Sequence, residues 1–131
     1  MQPISLKDYA ANPKSYKGQD NTGVYFIFKA NKSILSQNIP HKDIKRYDKD
    51  IMYIGTSSTS YFARLRMHIK SFSAITENVE TPPKFVLCAQ KNGNTIDNLY
   101  VVCYKGLDKE TENNRFKNDN GNFPCANTRA K

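Results

Sequence analysis

Tryptophan is absent from this chain, cysteine occurs only three times, and acidic residues are outnumbered by basic ones. Without tryptophan, core bulk has to come largely from seven Phe and eight Tyr. A tyrosine here is therefore, until shown otherwise, a packing residue. The cysteines Cys88, Cys103 and Cys125 are odd in number and far apart. That argues against a disulfide framework, and against a zinc site, which needs close pairs. Buried free thiols in a reducing, cytoplasmic compartment are expected. Long apolar runs are also missing. Stretches such as Val24 to Phe28 and Phe85 to Ala89 fall far short of the roughly 18 residues a membrane helix needs. The start, Met1-Gln2-Pro3-Ile4-Ser5, lacks a charged block followed by an apolar one, so no signal peptide is expected.

Twelve Asp and Glu stand against twenty Lys and Arg, a formal charge of +8 on 131 residues. The length suits one compact domain. The surplus biases the chain toward polyanions such as DNA, RNA or an anionic membrane surface, although ordinary solubility charge accounts for it equally well.

Hydropathy patterning then orders the elements. Ser5 to Ala11 suits a short helix capped by Ser5 and stopped before Pro13. Val24-Tyr25-Phe26-Ile27-Phe28 is aromatic and β-branched, hence a strand near 23 to 29. Residues 29 to 50 are polar and form a long connection. Ile51-Met52-Tyr53-Ile54-Gly55 marks a second strand, near 50 to 55. A Thr-Ser-Ser-Thr-Ser run follows, and its hydroxyls suit a helix start. In that helix Phe62, Leu65, Ile69 and Phe72 form one apolar stripe, and Arg64 and His68, four apart, share an adjacent face. Residues 84 to 91 read as a short helix, although a strand there would enlarge the sheet. Residues 97 to 104 make a third strand. Asp108 begins a polar helix running to about Lys117.

The polar groups at the edges of these elements form an ordered series: Gly23-Val24-Tyr25, Tyr53-Ile54-Gly55, Arg64-Leu65, His68, a late acidic residue, then Pro124 and Asn127. This series resembles the GIY-YIG nuclease family over about residues 20 to 128. Each triplet alone arises often by chance, whereas the ordered set is far more specific. Three features depart from the pattern, one being that the acidic residue is ambiguous and stands a little far from Pro124. The connection between the motif strands is long, and Arg64 comes nine residues after Gly55, one more than the commonest spacing, so a bulge where the helix begins is expected.

The resemblance implies a mixed α/β (α+β) fold with a small, mostly antiparallel three-stranded sheet flanked by helices. It also implies endonucleolytic hydrolysis of DNA with one divalent cation, Mg²⁺ or Mn²⁺. Tyr25 would be the general base, Tyr53 would position the phosphate, and Arg64 would clamp it with two parallel hydrogen bonds. His68 would relay a proton or touch phosphate. Of Glu110 and Glu112 we favour Glu112 as the metal carboxylate, because it shares a helix face with Phe116. Asn127 would orient Glu112 or a phosphate. Arg66, Lys70, Lys84 and Arg115, with Lys117, Arg129 and Lys131, are candidates for flanking phosphate contacts.

Taken singly, every one of these residues has a plainer reading. The tyrosines would be core aromatics, Arg64 and the glutamates solvated helix charges, His68 a half-buried helix histidine, and Asn127 a turn residue. Two other functions stay open: a metal-free DNA- or RNA-binding module, and an RNA nuclease. With no further domain in these residues to read a target, specificity would come from loops, from a homodimer, or from a larger assembly.

Overall fold

The computed structural model describes residues 2 to 76, 87, 88, 91, 93 and 95 to 127, with 17, 19 and 71 to 76 described by backbone alone. Four strands form one antiparallel sheet: β1 (Ile4–Ser5), β2 (Gly23–Lys29), β3 (Ile51–Ser57) and β4 (Leu99–Tyr104), in the order β1-β4-β2-β3. The expected three strands lie where the pattern put them. The fourth, β1, corrects the three-stranded expectation. It is two residues long, too short for any alternation to show, and it exists only because Ile4 and Ser5 pair with Val101 and Tyr100.

The helices are α1 (Leu6–Ala11), α2 (Tyr61–Thr76) and α3 (Lys109–Asn120). Each begins with a side-chain cap. The Ser5 hydroxyl accepts from the Asp8 amide of α1, and the Asp108 carboxylate accepts from the Thr111 amide of α3. At α2 the Ser60 hydroxyl accepts from Ala63 N–H, while Asp20, forty residues away, accepts from Phe62 N–H and from the Ser60 hydroxyl. Helix α3 ends at Gly121, whose φ of 87° is the left-handed conformation that closes many helices. Of the expected helix at 84 to 91, only residues 87, 88 and 91 are described, and these are helical; the remainder, Lys84 included, lies outside the described residues.

Alternation along the strands sorts the apolar residues into two cores. One face of the sheet carries Tyr25, Ile27, Val101 and Cys103, packed beneath α1 and α2 through Tyr9, Phe62 and Leu65. Phe72, the last member of the expected stripe, belongs to the residues described by backbone alone. The other face carries Val24, Phe26, Phe28, Ile54 and Val102. It is covered by Phe116 of α3 and by Ile34, Ile39 and Ile44 of the long connection, which folds as two short 3₁₀ segments. Between Ile27 and Phe28 the β2–β3 register slips. The extra residue on β3 is Met52, so Met52 and Tyr53 both serve the first core.

The chain's end covers part of the open edge of the sheet. Ala126 N–H donates to Met52 C=O. The Asn127 amide then acts as a missing strand would, with Oδ1 accepting from Ile54 N–H at 2.9 Å and Nδ2 donating to Ile54 C=O at 2.8 Å. An unpaired strand edge is a template for aggregation, and these bonds cover the Met52–Ile54 stretch of it.

Cys88 and Cys125 form a disulfide, with Cα atoms 6.0 Å apart. This corrects the expectation of three free thiols, which rested on spacing along the chain. The fold brings together two residues 37 apart in sequence. Cys103 is buried and stands outside the disulfide. Among the described residues no helix is long and apolar enough to cross a membrane. Thiol titration in denaturant without reductant is therefore expected to count one cysteine per chain, Cys103, and all three after reduction; three before reduction would disprove the Cys88–Cys125 pairing.

Candidate active site

β-Sheet register brings the two motif tyrosines together. Tyr25 lies directly opposite Gly55, and Ile27 opposite Tyr53. Residues two apart share a face, so Tyr25, Tyr53 and Gly55 all look toward α2. The missing side chain at Gly55 makes room for the rings. A Cβ there would sit 2.5 Å from Cζ and Oη of Tyr25 and 2.6 Å from Cε2 of Tyr53. The first motif glycine is equally constrained: Gly23 has a φ of 138°, and a Cβ would meet the Tyr104 carbonyl oxygen at 2.2 Å. Both motif glycines are therefore demanded by close approach of neighbouring atoms.

Helix α2 lays His68 across the pair. Its ring stands edge-on to both tyrosines, with centroids 5.8 Å from Tyr25 and 4.8 Å from Tyr53. His68 Nε2 is 2.9 Å from the Tyr25 hydroxyl. One turn earlier on the same face, Arg64 stands close enough to act electrostatically on both Tyr25 and His68. Four of the sequence-chosen residues, Tyr25, Tyr53, Arg64 and His68, thus converge.

The electrostatics decide where the protons lie. Tyr25 has no exposed surface. Burial, helped by Tyr53, pushes its phenol far above the ordinary range, with Arg64 pulling the other way. Burial, then the Arg64 charge, holds His68 down to about 4. At neutral pH the imidazole is uncharged, so the phenol donates and Nε2 accepts.

The start of α2 borders the same region. Burial works against the charge on Asp20, but the Ser60 hydroxyl and the amides of Phe62, Asn21 and Tyr61 outweigh it, and the carboxyl is held below its usual range. This cap is supplied from before β2, forty residues from Ser60. Between β3 and α2 lies an open polar cavity of about 280 Å³, walled by residues 56 to 60, Ala63 and Arg64.

A further residue, Lys109 in the first turn of α3, belongs to the cluster and was missed by sequence reasoning. Its Nζ lies 6.0 Å from the centroid of the Tyr53 ring. Burial, then Arg64, lowers its hold on its proton. No pattern marks it, because a lysine in a polar helix looks like any solvated charge.

The remaining candidates have other partners. Glu112 is 7% exposed, and its carboxylate bonds His41 Nε2 at 2.6 Å. His41 comes from the long connection and stacks edge-on against Tyr104. Glu110 is exposed. The Asn127 amide is engaged on β3, as described. Arg66 donates to the Tyr9 hydroxyl at 3.2 Å. Lys70 is exposed beside it, in a shared cavity with Tyr9 and Pro13. Arg115 is tied to Asp48 at 2.5 Å and to Asp119 at 3.4 Å. Among the described residues no three His, Cys, Asp or Glu are grouped so as to hold a metal ion. The chain matches no family model, no curated protein and no solved structure.

Two outcomes follow from this geometry. Gly55→Ala forces a Cβ into both tyrosine rings, so urea unfolding should show a loss of about 1–3 kcal/mol or more; a neutral substitution would mean the rings do not pack there. His68 takes its proton near 4 when folded and near 6.5 when unfolded. Between those values the unfolded chain binds more protons, so stability falls as pH drops through that window. The melting temperature of the wild type should fall from pH 6.5 to 4.5 by about 5 °C more than that of His68→Gln; parallel curves would place the imidazole in solvent.

Proposed function

We propose that this protein is a divalent-metal-dependent endonuclease that hydrolyses DNA phosphodiester bonds, with a site of the GIY-YIG kind. The observation that carries the reading is the Tyr25 hydroxyl on a neutral His68 at 2.9 Å, with Arg64 beside both.

A phenol is a poor base unless its own proton has somewhere to go. Here it has His68 Nε2. As a water oxygen attacks phosphorus, its proton passes to Tyr25 Oη and the phenolic proton to Nε2, while the P–O3′ bond breaks and the departing 3′ oxygen takes a proton from solvent. Arg64 forks onto the phosphate oxygens, where charge accumulates in the transition state. Tyr25 is covered in the free protein, so the reading requires Arg64 to turn from the phenol onto the phosphate, which clears the water's approach. Tyr53, half-buried, orients the phosphate through its hydroxyl. The hydroxyl-lined cavity next to Arg64 suits the neighbouring sugar-phosphate backbone, and the +8 charge supports a polyanionic substrate.

Glu112 would hold the Mg²⁺ or Mn²⁺. Its donor chemistry suits such an ion, which needs one carboxylate with waters and phosphate oxygens, but in the free protein the carboxylate turns to His41 and not to the Tyr25–Arg64 cluster. His41 must then release or share that carboxylate. The bound cation would supply Lewis-acid stabilisation of the phosphorane. That same His41–Glu112 bond is the observation favouring a second reading, a phosphate-binding module without hydrolysis.

Purified protein incubated with supercoiled plasmid or with RNA, in Mg²⁺, Mn²⁺ or chelator, separates these functions. Metal-dependent DNA nicking is expected, falling about 10²–10³-fold in Arg64→Ala and disappearing in Tyr25→Phe. Binding to DNA without cleavage under every metal condition would establish the binding module instead, and cleavage confined to RNA would reassign the substrate.

A further inference from the structure

We propose that Lys109, which stands over the Tyr53 ring, is a second phosphate-binding cation of this site beside Arg64, so that one scissile-region phosphate is held between α2 and α3. The proposal rests on the reading of the Tyr25–Arg64 cluster as a phosphodiester site.

Three observations carry it. First, Lys109 stands in the first turn of α3, where the helix dipole disfavours a cation; its place there does nothing for the helix. Second, it is half-buried with Nζ above Tyr53, although a long lysine side chain in solvent would move away from a neighbouring guanidinium. Burial and Arg64 together weaken its hold on its proton, as expected of two cations confined near each other. Third, among the described residues neither Arg64 nor Lys109 makes an ion pair. The neighbouring acids are committed elsewhere or turned outward: Glu112 to His41, Glu110 to solvent. Two cations from different helices, neither paired with a carboxylate among the described residues, form a receptor for an oxyanion. Phosphate bound between them would remove their mutual repulsion and couple α3 to α2.

The test is binding of a short DNA duplex in chelator, where no cleavage occurs, followed by anisotropy as KCl is raised. Lys109→Ala should weaken binding about tenfold and reduce the slope of log K against log salt by about 0.9. Lys109→Arg should restore both. Lys109→Gln, which keeps most of the side chain's bulk, should match Lys109→Ala and so excludes a packing effect. Lys7→Ala controls for net charge, because Lys7 is exposed and paired with Asp97 on α1's side of the sheet. If Lys109→Ala and Lys109→Gln behave as Lys7→Ala does while Arg64→Ala weakens binding, the role given to Lys109 is wrong and the site reading stands. If Arg64→Ala also has no effect, the phosphodiester reading itself fails.

Discussion

The pairing of Tyr25 with Gly55 across β2 and β3 is the contact on which the site depends. It places two phenols on one face of the sheet with no side chain between them. A one-residue slip of β2 would send Tyr25 to the opposite core and bring Val24 and Phe26 to the α2 side, and no α2 arginine could reach the phenol. The register is held from both sides. The Met52 irregularity adjusts the far end of β3, and Gly23 lets the Tyr104 carbonyl come close at the near end. The outer edge of β3 is fixed in turn by Ala126 and Asn127. Asn127 therefore bears on the site through the backbone of Ile54, one residue from both Tyr53 and Gly55.

Burial sets the protonation of the cluster. Water would charge the imidazole readily and leave the phenol indifferent. In the dry space under α2 both groups stay neutral, and the adjacent guanidinium reinforces that state for His68 while favouring ionisation of Tyr25. A neutral acceptor on a phenol, with a permanent cation alongside, is an arrangement that lets a proton leave oxygen when a second negative group arrives. The nucleolytic reading uses that property, and Lys109 extends the same cationic wall onto α3.

The two faces of the sheet divide the candidate machinery. Tyr25, Tyr53, Arg64 and His68 belong to the α2 side. Glu112 turns toward His41 and the long connection, which packs with Phe116 on the other side. The connection between the motif strands is thus more than a solvated loop: its isoleucines complete the second core, and its histidine engages the proposed metal carboxylate. Its 3₁₀ segments are short and irregularly spaced, which is why no helical or strand period betrayed them.

Local chemistry was enough to place β2, β3, β4, α2 and α3 from the residues alone, because strand alternation, the Phe62–Leu65–Ile69 stripe and the Ser5, Ser60 and Asp108 caps are short-range signals. The four candidate residues that converge were singled out by the family resemblance of their ordered motifs, which no single residue among them would have revealed. What only the tertiary structure decided is contact between segments distant along the chain. The strand β1 exists by pairing with β4. Asp20 caps a helix forty residues on. His41 occupies Glu112. Cys88 finds Cys125, and Asn127 completes an edge strand. Lys109 became a neighbour of Arg64 only when α3 packed beside Tyr53. Periodicity and capping report on a residue's nearest few neighbours, whereas these partners are chosen by where whole elements come to rest.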